Sequence, residues 1–517
     1  MFSSGMAIPY FAQLIANSKV VRFALALPSS SFSYLIALIL GLFFVRLFFY
    51  VFYASKTWKK KEDLTFQDLN NLCVKTNQKL PFFTILIPAL EEAEVIASTI
   101  QRVAQINYPS DCYQIRVIVD EKEKLRAKSN QITTRQVVED LINKFRNQPQ
   151  CPKLNLLEVP YDFDGYLNGQ CLSKEVPSTK GRALNYALSQ KDEITDFYAF
   201  FDAEAGPNPG SFLAVAKSYL LNNKNIVFQL PVYQIRNFWS LNAFCKVAAL
   251  SQCFSHQYVL PFIFIFMPFI GGTNLFIHRS VILKNGGFDN TILTEDIELG
   301  VRLYVEQDLW PIYLPYPSTE QTPPTLSAYH KQRYRWGFGL MQTMQKLFRQ
   351  LKETQEQKSK EKHQRIKKMI YSLSVHGPID WILYYPLTLA ATLLFLMRVF
   401  KSAFISFILY HFSTLTLVPW NPLNDALSLI LVFIPIPTLV FLIVLLKHYW
   451  SYINHATATF TDKRKQLINL AFFVLFGAPL SMSYYVFPYV HAFFNFVFHP
   501  HQQTVWIKTQ RTKEVLT

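Results

Sequence analysis

The chain has 517 residues, of which 50% are apolar, 16% aromatic and only 17% charged. These values exclude a disordered chain and a disulfide-stabilised scaffold, and they disfavour an ordinary soluble protein. An excess of 51 Lys and Arg over 35 Asp and Glu gives a net charge of +16. In so apolar a chain, this excess favours charges beside membrane spans over a nucleic-acid surface. The six scattered cysteines form no metal-binding pattern, so we predict free, buried or half-buried thiols.

The apolar residues concentrate towards the two ends of the chain. Residues 33–53 form a run of 21, long enough to cross a bilayer core of ~30 Å, although Arg46 interrupts it. No cleavage pattern accompanies this run, so it predicts a retained membrane anchor. Further candidate spans, three to five in number, are predicted within 379–399, 402–418, 427–446 and 469–498.

Basic residues border the segment between these apolar regions. Four lysines follow the first run, and the stretch from Lys346 to Lys368 holds nine Lys or Arg and three Glu. A solvated helix face would explain that stretch equally well. Because Lys and Arg concentrate on the cytosolic side of membrane proteins, we predict that the segment between the spans is cytosolic.

These patterns predict a multi-pass protein of the cell (inner) membrane with four parts. They are an N-terminal region with one span (1–55), a cytosolic domain (56–378), a region of further spans (379–499) and a basic cytosolic tail (500–517).

Within 80–345 the apolar pattern becomes that of an α/β domain. Residues 82–90 and 115–119 are predicted strands, and residues 92–106 between them place apolar side chains on one helical face. This βαβ unit predicts a parallel sheet, to which residues 196–201 add another strand. Ligands of such sheets bind beyond the carboxyl ends of the strands.

Acidic residues follow two of these strands. Asp120 ends one, and Asp202 and Glu204 follow another at a spacing that points both carboxylates to the same side. Hard oxygen ligands of this kind suit Mg²⁺ or Mn²⁺ that also binds a diphosphate. A polar strand end without a ligand is the simpler alternative.

Three further segments can each be interpreted in more than one way. Thr294, Glu295 and Asp296 could form a capped helix start that the helix dipole stabilises. The segment from Gln332 to Trp336 could be an interfacial helix. Residues 258–270 are apolar but too short to span a bilayer, so they predict an interfacial segment or a buried core segment.

Taken together, these motifs resemble those of the membrane-embedded family-2 glycosyltransferases of the processive, cellulose-synthase-like branch. The resemblance covers residues 80–345. It rests on QxxRW at 332–336, preceded by Glu320-Gln-Thr-Pro, on TED at 294–296, on Gly-Gly-Thr at 271–273, on DxE at 202–204 and on the basic loop that begins at Lys180. It implies an α/β nucleotide-diphospho-sugar transferase domain (GT-A, Rossmann-like) inserted between transmembrane helices.

The resemblance also implies a role for each motif. Asp120 would recognise the donor's nucleobase, while Asp202 and Glu204 would hold Mg²⁺ or Mn²⁺. Lys180 and Arg182 would neutralise the diphosphate, with Asp202 also part of the nucleotide-sugar site. Asp296 would be the general base and Glu295 its partner. The acceptor would lie against Gly272, Thr273, Gln332, Arg335 and Trp336. The chain departs from the family pattern at Leu90, where relatives often carry an aromatic residue, and at Glu204, where Asp is usual.

The implied activity is inverting transfer from a nucleotide-diphosphate sugar, such as UDP-glucose, to a growing polysaccharide at the membrane, with β-linkages. A glycolipid synthase that transfers one sugar to a lipid is the alternative enzyme. A transporter or a silent membrane scaffold is the alternative outside enzymes. The implied partners are a nucleotide sugar, a glycan or lipid acceptor and the bilayer, with no nucleic acid.

Overall fold

The computed structural model describes residues 61–127, 131–148, 150–356, 360–386, 435–453, 460–499 and 511–513, with a few isolated positions near 50 and at 389. Most of the predicted first span, the whole of 402–418 and most of 379–399 lie outside these residues, as does most of the basic tail.

The described residues form nine strands. Their bounds are β1 Phe83–Pro88, β2 Tyr113–Asp120, β3 Lys153–Val159, β4 Phe197–Phe200, β5 Val227–Gln229, β6 Val232–Gln234, β7 Leu275–His278, β8 Ile312–Tyr313 and β9 Ser318–Glu320.

Seven of these strands form one mixed sheet with the order β3-β2-β1-β4-β7-β5-β8. β1 pairs in parallel with both β2 and β4, and β2 pairs in parallel with β3. The predicted parallel βαβ unit and the third predicted strand are therefore confirmed. β7 runs antiparallel to β4 and β5, while β6 and β9 form a separate parallel pair.

Ten helices precede residue 326 in the described chain. They are α1 Phe66–Thr76, α2 Ile96–Ala104, α3 Glu121–Arg126, α4 Thr134–Arg146, α5 Lys180–Leu188, α6 Ser211–Leu221, α7 Ala243–Phe254, α8 Leu260–Ile263, α9 Arg279–Lys284 and α10 Glu295–Gln307. A π-helical turn, Ser255–Val259, joins α7 to α8.

The first crossover helix begins four residues later than its apolar pattern predicts. Glu91 adopts a left-handed backbone (φ 55°), and the amide of Glu92 donates a hydrogen bond to Thr134 Oγ1 at 2.7 Å. The chain therefore turns before α2 starts. The predicted buried face is confirmed, because Val95, Ile96 and Val103 are buried.

The central strands are apolar along their whole length because both faces of the sheet are covered. In β1, Phe83, Ile85 and Ile87 belong to one core, and Leu86 points into the other. Phe83 and Phe212 meet edge to face, with ring centroids 5.0 Å apart. This packing fixes the strand ends where the acidic residues lie.

Six more helices follow in the described residues. They are α11 Leu326–Glu356, α12 Lys360–Ser374, α13 Pro435–His448, α14 Trp450–Ile453, α15 Phe460–Phe472 and α16 Ala478–Phe498. π-helical turns at Val375–Ile379 and Phe473–Gly477 extend α12 and join α15 to α16. Among the parts of the chain that the structure describes, no helix combines the length and apolarity needed to cross a bilayer.

The six cysteines are free. Cys245 and Cys253 are buried, and three others are half-buried. Cys171 differs from the prediction because it lies exposed in the loop before α5.

Candidate active site

A cavity of about 380 Å³ opens beyond the carboxyl ends of β1, β2 and β4. Ten of the twelve site residues predicted from the sequence line it directly. These are Asp120, Lys180, Asp202, Glu204, Thr273, Glu295, Asp296, Gln332, Arg335 and Trp336. Arg182 and Gly272 lie immediately behind this wall.

Asp120 forms one end of the cavity, where β2 passes into α3. Its Oδ2 accepts hydrogen bonds from Arg182 Nη1 and from Ser178 Oγ, each at 2.7 Å. Its Oδ1 accepts the amide hydrogen of Lys122 at 3.1 Å. The carboxylate of Asp120 is therefore held in one orientation at the edge of the cavity.

Arg182 is buried behind Asp120. It is 1% exposed, pairs with Asp120, and its Nε donates to the carbonyl oxygen of Phe163 at 2.9 Å. The guanidinium therefore holds Asp120 from behind. A direct contact between Arg182 and a diphosphate stays a prediction.

Lys180 lies on the other side of helix α5, because residues two apart on a helix point about 200° away from each other. Its Nζ contacts Asp202 Oδ1 and donates to the carbonyl oxygen of Gly272 at 2.9 Å. Burial would lower the pKa of Lys180, but Asp202, Glu295 and Asp296 more than offset it and hold the pKa above its usual value. The ammonium group is therefore positively charged, and it lies close to the carboxylates of Asp202, Glu295 and Asp296.

Three carboxylates converge beside Lys180. One oxygen each from Asp202, Glu204 and Glu320 lies within 4.8 Å of the others. Glu204 and Glu320 are each only 2% exposed. Burial, together with the charges of Asp202 and Glu204, raises the pKa of Glu320 to about 8. We call these three residues the acidic cluster.

The acidic cluster fits a divalent cation. Its ligands are hard carboxylate oxygens, which Mg²⁺ and Mn²⁺ prefer, and a buried group of like charges requires a counter-cation. Glu320 is not among the metal ligands predicted from the sequence. It reaches the cluster from β9, far along the chain from Asp202 and Glu204. Its Oε1 accepts a hydrogen bond from Thr273 Oγ1 at 2.6 Å, which orients it.

Asp296 and Glu295 begin helix α10 on the opposite wall from Asp120. Burial and the charge of Asp296 raise the pKa of Glu295 to about 7. Burial also raises the pKa of Asp296, against the opposing effect of Lys180. The pair is therefore a set of carboxylates with high proton affinity next to open cavity.

The helix start at 294–296 is not capped as its pattern predicts. Thr294 Oγ1 has no hydrogen-bond partner and is buried, and a Cβ at Gly339 would lie 2.4 Å from it. Close packing of α11 on this hydroxyl thus replaces the cap. One turn later, Arg302 Nε lies 2.9 Å from Glu298 Oε1.

Gly272 and Thr273 lie between the acidic cluster and Asp296. Thr273 Oγ1 accepts the amide hydrogen of Asp202 at 3.2 Å while it donates to Glu320. Gly272 has a left-handed backbone (φ 71°), and a Cβ there would lie 2.5 Å from Asp296 Oδ2. Both residues contact the predicted catalytic groups, and their predicted contact with the acceptor stays a prediction.

The QxxRW residues line the cavity from helix α11. Gln332 Oε1 and Arg335 Nε are buried without a hydrogen-bond partner. The guanidinium of Arg333 covers the ring of Trp336, 3.8 Å from its centroid. Unpaired buried polar atoms of this kind are costly, so they indicate a polar ligand in this half of the cavity.

The apolar segment 258–270 also borders this half. Ile263, Met267 and Phe269 line the cavity. Ile265 and Phe266 in the same segment are each 41% exposed. The segment is thus neither wholly buried core nor wholly surface, and its predicted contact with a bilayer is untested.

The known proteins to which this chain is similar are glycosyltransferases. Residues 199–445 match the model of the glycosyl transferase family group 2. A probable glycosyltransferase, YdaM, of Bacillus subtilis is 26% identical over 51% of this chain and 56% of its own length. A beta-monoglucosyldiacylglycerol synthase of Trichormus variabilis is 23% identical over 50% of this chain and 49% of its own length.

A glucomannan 4-beta-mannosyltransferase of Cyamopsis tetragonoloba is 24% identical over 54% of this chain and 48% of its own length. Among solved structures, the mannosyltransferase PcManGT from Pyrobaculum calidifontis, in complex with GDP-Man and Mn²⁺, is similar with a TM-score of 0.44. The two sequences are 14% identical, and the match covers 90% of this chain and 98% of that chain.

The chain spans about half the length of the curated relatives that it matches. The matched segment contains the acidic cluster, Asp296 and the QxxRW residues, whereas Asp120 and Lys180 precede it. Just under half of the chain, residues 199–445, therefore resembles the glycosyl transferase family group 2, and the chain has a mixed α/β fold.

Proposed function

We propose that the chain is an inverting hexosyltransferase that moves a sugar from a nucleotide-diphosphate donor, such as UDP-glucose, to a growing polysaccharide at the membrane, forming β-linkages. One observation carries this proposal. A single cavity combines a fixed carboxylate at the end of β2, a cation-binding acidic cluster and a pair of carboxylates with raised pKa. Glycosyl transfer from a nucleotide sugar can use these groups to bind the nucleobase, to neutralise the leaving diphosphate and to accept the proton of the acceptor hydroxyl.

The donor would lie along the carboxyl ends of β1, β2 and β4. Asp120, held by Ser178 and Arg182, would accept hydrogen bonds from the nucleobase. Lys180 would stabilise the diphosphate, on which negative charge grows as it leaves. A divalent cation bound to the acidic cluster would add positive charge at the same place.

The acceptor hydroxyl would lie next to Asp296. As its oxygen attacks the anomeric carbon, Asp296 takes the hydroxyl proton, and the bond from that carbon to the diphosphate oxygen breaks with its electron pair. Attack opposite the leaving group inverts the anomeric carbon, so an α-linked donor gives a β-linked product. Trp336, Gln332 and Arg335 would hold the acceptor sugar.

Transfer of one sugar to a lipid is the second candidate. The acceptor half of the cavity contains several apolar side chains, namely Ile263, Met267, Leu293, Leu340 and Trp381. An apolar wall suits the acyl or polyprenyl part of a lipid. The relatives include both kinds of enzyme by name, a diacylglycerol-modifying synthase and a glucomannan transferase.

A location at the membrane is part of the proposal. Its support is the apolar composition of residues 33–53 and 379–499, with basic residues at both borders of the segment between them. That orientation places the cavity in the cytosol, where nucleotide sugars are made.

Product size decides between the two candidates. The purified full chain would be supplied with isotope-labelled UDP- and GDP-hexoses, Mn²⁺ and vesicles of bacterial lipid, and the products would be separated by size. A ladder of long glycans supports the polysaccharide synthase, and a single sugar on extractable lipid supports the second candidate. If no label enters either fraction from any donor, the proposed function is wrong.

Gly272→Ala is expected to lower activity roughly 10- to 100-fold, because displacing a catalytic group by about 1 Å has effects of that size. The new Cβ would meet Asp296 Oδ2 at 2.5 Å. Gly286→Ala is the matched control, since Gly286 has a similar backbone (φ 79°) with nothing within 4 Å. Both variants should lose similar thermal stability, and only Gly272→Ala should lose turnover. Equal turnover in the two variants would contradict the position assigned to Asp296.

Glu295→Gln is expected to move the acidic limb of the kcat–pH profile to lower pH. The base must be deprotonated to act, and the adjacent carboxylate of Glu295 disfavours a second negative charge at Asp296. Removing that charge lowers the pKa of the remaining carboxylate, so activity persists to lower pH. The profile is measured from the initial rate of donor consumption. Loss of turnover at every pH in Glu295→Gln would show that Glu295 itself is the base, because Gln cannot accept the proton.

A further inference from the structure

The C-terminal segment 511–513 lies against the wall of the cavity. The amide of Thr512 donates to Gln321 Oε1 at 2.7 Å, and Gln321 Nε2 donates back to the carbonyl oxygen of Thr512 at 2.8 Å. Asn237 Nδ2 donates to Thr512 Oγ1 at 3.1 Å. These three hydrogen bonds fix the position of the segment, which we call the tail, beside Glu320.

The tail places Arg511 in the acidic cluster. Its Nη2 lies 2.6 Å from Glu204 Oε1, and the two side chains are only 15% and 2% exposed. Burial would lower the pKa of Arg511, but Glu204, Glu92, Asp202 and Glu320 more than offset it, so the pKa is raised. Arg511 Nε is buried without a hydrogen-bond partner. The guanidinium is thus held mainly by the charge of the cluster.

Arg511 therefore occupies a carboxylate that the ion of the proposed metal site would need as a ligand. The guanidinium pairs with Glu204, one of the three carboxylates whose oxygens come within 4.8 Å of one another. A divalent cation on the same three oxygens and a guanidinium at 2.6 Å from one of them would repel each other strongly in a buried site. The two cations cannot both be bound well.

We propose that Arg511 is a built-in counter-ion of the acidic cluster, and that a divalent cation and the tail compete for Glu204. The inference rests on the metal site of the proposed function. When the tail is docked, Arg511 neutralises the buried carboxylates and keeps the cavity folded without an ion. When a divalent cation binds, it takes over Glu204, and Arg511 and the tail are released. Because linkage is reciprocal, each partner weakens the binding of the other by the same factor.

Binding of Mn²⁺ alone to the purified full chain tests the first half of this linkage. Electron paramagnetic resonance of free Mn²⁺ gives the affinity without any measurement of transfer. Arg511→Ala should bind Mn²⁺ roughly 5-fold or more tightly than the natural chain, at the lower end of usual coupling strengths. Lys513→Ala, which removes the same charge two residues further along the tail, should change the affinity little.

Two further variants separate charge from docking. Arg511→Lys keeps a cation in the tail and should stay closer to the natural chain than Arg511→Ala does. Gln321→Ala keeps Arg511 but removes the two hydrogen bonds to Thr512, so it should also tighten Mn²⁺ binding. Thermal unfolding of each variant shows that it is folded before its affinity is compared.

The natural chain itself tests the second half. Trypsin cleaves after arginine, and a docked Arg511 should be protected. Saturating Mn²⁺ should speed release of the residues after Arg511, followed by mass spectrometry as the appearance of the shortened chain that ends at Arg511, and KCl at the same ionic strength should not. Slower release with Mn²⁺, or equal Mn²⁺ affinity of Arg511→Ala and the natural chain, would overturn the inference while leaving the proposed metal site intact. If Mn²⁺ binds to none of these chains, the metal site fails, and the inference fails with it.

Discussion

Asp296→Asn is expected to lower turnover by a factor on the order of 10²–10⁴ while donor affinity stays nearly intact. Asn keeps the shape of Asp and an oxygen that can accept the amide hydrogen of Ile297, which Asp296 Oδ1 accepts at 2.8 Å. It cannot take a proton from the acceptor hydroxyl. The loss should therefore fall on kcat, measured with saturating donor, and only slightly on the dissociation constant of the nucleotide.

The same helix supplies a matched control for this variant. Asp308 ends α10 with a left-handed backbone (φ 54°), which Asn adopts readily, and its side chain is 70% exposed. Asp308→Asn makes the same chemical change far from the cavity and should keep near-normal turnover. If Asp296→Asn also keeps near-normal turnover, Asp296 is not the base, and the acidic residues at the start of α10 only stabilise the helix.

Trp336→Ala should fail in a different way. A ring that holds the acceptor sugar contributes to acceptor binding and little to proton transfer, so slow hydrolysis of the donor by water should survive in this variant. Water still needs a base, so hydrolysis should fall in Asp296→Asn. Equal loss of hydrolysis in both variants would place Trp336 in the donor site.

The parts of the site that the sequence predicted are those that depend on local structure. Alternating or continuous apolar runs identified β1, β2 and β4, and parallel pairing brings the carboxyl ends of such strands to one edge. Asp120 is the last residue of β2 and Asp202 lies two residues after the end of β4, so their meeting in one cavity follows from the strand pattern.

The parts that the sequence missed arrive from distant elements. Glu320 reaches the acidic cluster on β9, whose pairing with β6 has no signal in the apolar pattern of three-residue strands. Arg511 comes from the far end of the chain and is held by side chains rather than by secondary structure. No local rule predicts such contacts, although the acidic residue of the Glu-Gln-Thr-Pro motif, Glu320, is the one signal in the sequence for a further carboxylate at the site.

The helix period adds a distinction between Lys180 and Arg182 that their closeness in sequence hides. Helix α5 begins at Lys180, so the two side chains diverge, one towards Asp202 and the other towards Asp120. Because the two side chains diverge, this short basic motif pairs with two different carboxylates.

Removal of divalent metal is expected to abolish transfer by the natural chain, and added Mn²⁺ should restore it. Asp202→Asn should then respond differently, because it loses one negative ligand of the acidic cluster and also the partner of Lys180. We expect its Mn²⁺ affinity to fall by roughly 10- to 100-fold, the usual effect of disturbing a metal site, with a parallel loss of donor binding.

Asp140→Asn is the control for this change, since Asp140 is an exposed residue of α4 far from the cavity. Mn²⁺ affinity and nucleotide affinity are measured for both variants and for the natural chain, before and after chelation. If the chelated natural chain keeps its activity, the cations of Lys180 and Arg335 suffice for the diphosphate, and the acidic cluster has another purpose. If chelation abolishes activity but Asp202→Asn binds Mn²⁺ normally, the ion is held by Glu204 and Glu320 without Asp202, and the role of Asp202 is to position Lys180.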